Sequence, residues 1–159
     1  MRGGFWPPAL LCAALAFALA FAPQRTRVPA LVVLTIAAMV GSRISFPPGW
    51  LEGIFAATWV SVVVAALAVH RPPQPLAPVL ALAANTGLWA GAVTAVAGTP
   101  RDLALALPVG LLAFPAGWLV ARRGGIAVKV VSSWLVAVAI LVAALPMVAT
   151  PGYAPDHFE

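Results

Sequence analysis

Apolar residues run along this chain in long blocks, separated by short clusters of proline, glycine and basic residues. Six such blocks are visible, at 5–22, 28–42, 50–69, 75–96, 103–121 and 126–148. A helix rises 1.5 Å per residue, so about 20 residues cross a hydrocarbon core of about 30 Å. The period-two alternation of a membrane β-barrel is absent from the blocks. The pattern therefore predicts an all-α, polytopic transmembrane helical bundle of about six helices (five on a shorter count), with no soluble domain. It makes a single domain of 1–148, followed by a short polar tail at 149–159.

Two blocks need separate treatment. The 28–42 block reaches only about 22 Å as a helix. Either it extends to 46 with Arg43 snorkelling outward, or it pairs with 5–22 in a shallower hairpin, the two joined by a tight basic turn at 24–27. The 5–22 block carries Arg2 before it and a small-residue site at Ala18 and Ala20, which raises a cleaved signal peptide. A single basic side chain ahead of the block, and Arg25 and Arg27 directly after it, favour retention instead.

Within the 75–96 block, Asn85 is the most deeply placed strongly polar side chain. At 100° per residue, Ala84, Gly87, Gly91, Thr94 and Gly98 share one stripe, with Asn85 and Trp89 nearly opposite. Small residues at i and i+4 let helix backbones approach closely. Ala113 and Gly117 offer a similar surface on the 103–121 block. The 75–96 helix is thus expected at the centre of the bundle, with protein on two sides. Depth singles out Thr35, Thr58 and Ser61 as partners for Asn85, although a lone hydroxyl bonds by default to its own helix. Pro108 and Pro115 predict a kinked or broken 103–121 helix.

Composition agrees with this pattern. The chain is 63% hydrophobic and 8% charged, with mean hydropathy +1.03. Soluble domains carry about 25% charged residues. A net charge of +5 would suggest nucleic acid in a soluble protein. Here the basic residues fall in the turns, where they set orientation and meet anionic lipid headgroups, and no nucleic-acid partner is expected. Arg25, Arg27, Arg71, Arg122, Arg123 and Lys129 fall on one side of a six-span topology. Arg2, Arg43 and Arg101 fall on the other, with all four acidic residues. The bias predicts a bacterial-type inner membrane protein with basic turns in the cytoplasm and both termini outside.

Candidate chemistry is sparse. Glu52, one turn into the 50–69 helix, is a carboxylate in a position to couple protons, but its depth makes it interfacial and its charge suits the helix dipole. Lys129 falls at the opposite face and is expected to snorkel to headgroups. His70, Asp156, His157 and Glu159 lack metal-ligand spacing. No catalytic triad, phosphate-binding loop or HExxH motif is present, so no cofactor, metal or enzymatic activity is expected. Cys12, in an apolar block, reads as a packing residue. Trp6, Trp50 and Trp118 suit interface belts, whereas Trp59 and Trp89 suit packing. The stretch at 45–50, with Pro47, Pro48 and Trp50, resembles part of the tryptophan-rich sensory family of five-helix proteins, and the likeness ends there, the next tryptophan falling at Trp59.

The sequence thus favours a non-enzymatic accessory, assembly or structural subunit of a membrane complex, packing against other membrane subunits or a second copy. The alternative is a small transporter or channel for a small or apolar solute. Its path would run past Asn85, Gly87, Trp89 and Gly91 and the prolines Pro108 and Pro115, since broken helices beside polar residues often line a route.

Overall fold

The computed structural model describes residues 4–71 and 74–144. Pro72, Pro73 and the tail at 149–159, with Asp156, His157 and Glu159, lie outside the described residues. Those described form helices without a strand. Three stretches are long and apolar enough to cross a membrane: Leu51–His70, Leu76–Ala97 and Pro100–Ala144.

Helix α1 spans Trp6–Ala20. Pro7 and Pro8 open it, in the first turn, where a missing N–H leaves no intrahelical bond unmade. Every residue in it is apolar, and a helix that is apolar all round is buried all round. Leu11, Cys12, Ala14, Leu15 and Ala16 are each 0% exposed. The centre of the bundle is shared. Helix α1 is enclosed by helices from the later parts of the chain. The 75–96 helix has protein on two sides, as the sequence suggested, with Gln24–Gly41 against its glycine face and α1 and Leu51–Leu67 elsewhere. The alanines of α1 explain its enclosure: short side chains let several neighbours come close at once, and close approach is what holds apolar helices together in lipid.

Helix α2 spans Gln24–Gly41, with Pro29 inside it. The basic turn expected at 24–27 is in fact its first turn. Pro23 breaks the chain just before it, and the Thr26 hydroxyl donates to the Pro23 carbonyl at 2.7 Å. The helix thus gains length at its start rather than by running on through Arg43. Its 18 residues span about 27 Å.

Helix α3 spans Leu51–Leu67, and a 3₁₀ turn at Ala68–His70 extends it. Glu52 lies in its first turn. Helix α4, Leu76–Ala97, is the longest single helix. The short helix α5, Pro100–Ala106, starts on a capping box. There the Thr99 hydroxyl accepts from the Asp102 N–H at 3.3 Å, while Asp102 accepts from the Thr99 N–H at 2.8 Å. From Leu107 to Leu112 the chain tightens into 3₁₀ winding, because Pro108 supplies no N–H for an α-helical bond. Helix α6, Ala113–Leu119, follows and holds Pro115. The backbone then bends at Arg122 and Arg123, the latter at φ 68°, before α7, Gly125–Ala144. A straight helix over Pro100–Ala144 would reach about 68 Å, roughly twice the hydrocarbon core; the bend folds that length back.

The connecting segments gather at two ends. At one, the Gly4 N–H donates to the Ala97 carbonyl at 3.1 Å, and residues 42–47 with Leu51 meet Ala95 and Val96 around a cleft of about 530 Å³. At the other, Phe21 and Ala22 meet Ala68, Arg71 and Gln74, and Lys129 lies over the Phe21 ring. This second end carries Arg25, Arg27, Arg71, Arg122, Arg123 and Lys129, with no acidic side chain among the described residues. The first holds Arg43, Arg101, Glu52 and Asp102, which cancel.

Candidate functional site

The glycine stripe of α4 faces α2. A Cβ on Gly87 would lie 2.8 Å from the Ala37 Cβ and 3.1 Å from the Ala38 N; on Gly91 it would lie 2.6 Å from the Ser42 N. Gly41 of α2 answers from the other side, against the Leu88 carbonyl and Ala92. The partner of this stripe is accordingly α2, and not the 103–121 helix that Ala113 and Gly117 suggested. Because successive contacts climb both helices together, α2 and α4 run parallel.

Asn85 projects from another face of α4, towards α3. Its amide Nδ2 donates to the Ser61 hydroxyl oxygen. Of the three hydroxyls at its depth, Ser61 receives the bond. Thr58 and Thr35 bond back to their own helix carbonyls, at Ile54 and Leu31, at 2.7 and 2.9 Å. The Asn85 side chain makes no other hydrogen bond among the described residues. An amide offers two donors and an acceptor, so capacity is left over. Asn85 and Ser61 line a groove of about 470 Å³ between α3 and α4, open to the outside, with Ala57, Val60, Val64, Ala81 and Trp89 around them.

Pro108 and Pro115 lie elsewhere. Both are exposed, on the segment whose buried positions, Gly110, Ala113 and Ala116, pack inward, and neither lines the Asn85 groove. Glu52 is exposed at one end of α3. Lys129 is one turn from Ser132, whose hydroxyl donates to the Ala66 carbonyl at 3.0 Å near the other end of α3. Among the tryptophans, Trp59 is buried and Trp89 half-buried, while Trp6, Trp50, Trp118 and Trp134 are exposed.

A second polar feature has no counterpart in the sequence reading. Arg27 is 7% exposed. Its guanidinium donates to the carbonyls of Leu19 and Ala20, both at 3.1 Å, and of Ala22 at 3.5 Å. The Leu19 and Ala20 carbonyls belong to the last turn of α1, where the negative end of the helix dipole lies, and the Ala22 carbonyl follows just beyond it. The cation therefore needs no carboxylate. Gly117 of α6 makes room for it, since a Cβ there would collide with the guanidinium. A basic residue in a turn gives no sequence signal that its acceptors are backbone atoms.

Comparison with protein-family models, with curated proteins and with solved structures returns no match.

Proposed function

We propose that this chain is a non-enzymatic integral membrane protein that acts by packing, as an accessory, assembly or structural subunit of a membrane complex. One observation carries the reading. Asn85, the deepest strongly polar side chain, is engaged in a direct bond between two packed helices and opens onto an outward-facing groove. Transport through this molecule would call for polar groups converging on an enclosed path. The residues that motivate such a path, Asn85 with Pro108 and Pro115, sit apart. Exposed apolar side chains support the same reading: Ile126, Val130, Trp134, Ile140 and Leu141 of α7 are all more than half exposed, a surface suited to lipid or to other membrane helices.

The proposal extends to topology. Helix α1, helix α2, the α3 and α4 spans, the α5–α6 segment and α7 make six crossings in alternating sense. The basic end is placed in the cytoplasm of a bacterial-type inner membrane, against anionic headgroups. Purification in a mild detergent, followed by identification of co-purifying chains, tests the function. A stable association with another membrane polypeptide or a second copy is expected; a lone, monodisperse particle overturns it, and loss of uptake of a solute in a folded Asn85→Leu variant would favour the transporter.

A further inference from the structure

Three helix ends meet at the basic end of the bundle. Ser132 of α7 docks on the Ala66 carbonyl of α3, as described above. The next hydroxyl, Ser133, donates its proton to the Lys129 carbonyl at 2.9 Å, so its oxygen accepts from His70 Nε2, 3.4 Å away. These bonds hold the end of α3, and with it Arg71, beside the start of α7. Phe21, just past α1, completes the junction. The Lys129 ammonium lies 5.6 Å from the centre of its ring, and the ring shares a groove with Arg71. That groove runs between α1 and α4, from Arg71 and Gln74 at its mouth to Ala18 and Leu82, about two helical turns deeper.

We propose that this junction is a binding site for one anionic phospholipid: Arg71 and Lys129 take the headgroup phosphate beside Phe21, and an acyl chain lies in the groove. The inference rests on the membrane reading above and adds a bound ligand to the diffuse attraction of the basic turns. Three features select this ligand. The end carries six cations and no acidic side chain among the described residues, so its complement is an anion. A guanidinium has five donors and an ammonium three. Neither side chain makes a hydrogen bond among the described residues, and phosphate oxygens suit both. The groove is polar at its mouth and apolar below, the order of groups along a phospholipid; a nucleic acid or an acidic peptide has no chain to place there. Basic pockets between membrane helices at a cytoplasmic surface hold anionic headgroups in this way.

Native mass spectrometry of the protein in mild detergent, with phosphatidylglycerol or phosphatidylcholine added back, tests the site. One phosphatidylglycerol is expected to bind, with phosphatidylcholine about tenfold weaker or more. Arg71→Gln should weaken the phosphatidylglycerol about fivefold, and Arg71→Gln with Lys129→Gln about thirtyfold. Both side chains are exposed, so helicity and thermal unfolding without added lipid should not change. Arg25→Gln with Arg122→Gln removes the same charge from the same end; Arg122 lies over Trp118 instead, and this pair should leave the affinity almost unchanged. Glycerol phosphate, a headgroup without chains, should not displace the lipid even in large excess; displacement would mean a site for a free phosphate and overturns the lipid. Equal binding of the two lipids, or an equal loss in both charge pairs, overturns the site and leaves the membrane reading standing. Binding of neither lipid, by a protein that stays in solution once detergent is removed, overturns both.

Discussion

Arg27 and Gly117 define each other: the guanidinium fills the space where a side chain on α6 would be, and the end of α1 supplies its acceptors. Replacing Arg27 by methionine keeps most of the apolar stem but removes the guanidinium bonds to the carbonyls of Leu19, Ala20 and Ala22, of which the Leu19 carbonyl alone keeps a backbone N–H, from Ala22. We expect a loss of about 2–3 kcal/mol of unfolding free energy, read by denaturant titration in detergent, from hydrogen bonds to a charged group. Arg27→Lys should recover only part of this, since one ammonium does not span acceptors at Leu19, Ala20 and Ala22 as a planar fork does. Gly117→Ala should cost less than the methionine variant, since the group it displaces is the mobile end of a long side chain. On α4, Gly91→Ala drives a methyl into the α2 backbone, and the same titration should show a loss of about 1–3 kcal/mol. A glycine pair is visible in a sequence, and so was the α4 stripe. A guanidinium's use of distant carbonyls is not, because every residue carries the same carbonyl.

At the scale of elements, the apolar blocks were legible because each is long and sharply bounded by proline or basic residues. The ranking of those blocks was not. Asn85 and the glycine stripe drew attention to α4, and α4 does pack against α1, α2, α3 and α5; neither feature says that α1 is enclosed as well. The better sign was already in α1, whose 15 residues include no polar side chain and so leave no face that prefers water. The start of α2 misled for a related reason: Gln24, Arg25 and Arg27 look like a loop by polarity, but Pro23 ends the preceding turn and helical dihedrals are open to all of them. Pro108 was legible as a break, and its form follows from hydrogen bonding. Amides across Leu107–Leu112 sit in the weaker geometry of 3₁₀ winding. Hydrogen exchange in detergent should therefore be faster there than across the middle of α4, and Pro108→Ala should slow it.

For the whole molecule, the depth argument that named three hydroxyls for Asn85 included the one that bonds it, Ser61, because alternating helices hold their midpoints at one level. The same alternation sorts the charges. Six cations gather at one end without an acidic side chain among the described residues, while the other end is balanced. Cysteines placed at Arg123 and at Ser45 should consequently react differently with a membrane-impermeant thiol reagent in intact cells: Ser45→Cys labels and Arg123→Cys labels only after permeabilisation. The reverse pattern would invert the orientation proposed above.

The position of α1 has a bearing on how the protein is made. A ribosome releases α1 before any of the helices that enclose it, and domains form as their parts emerge. For most of synthesis, then, a helix without a polar side chain waits for its neighbours, in lipid under the topology proposed above, and α6 comes late to close over it through Gly117 and Arg27. A chain released after α4 would hold α1 without the α5–α6 segment and α7, and limited proteolysis in membranes should cut it near Ala20 and Ala22, which the complete bundle buries. The earliest helix is thus the last to be secured.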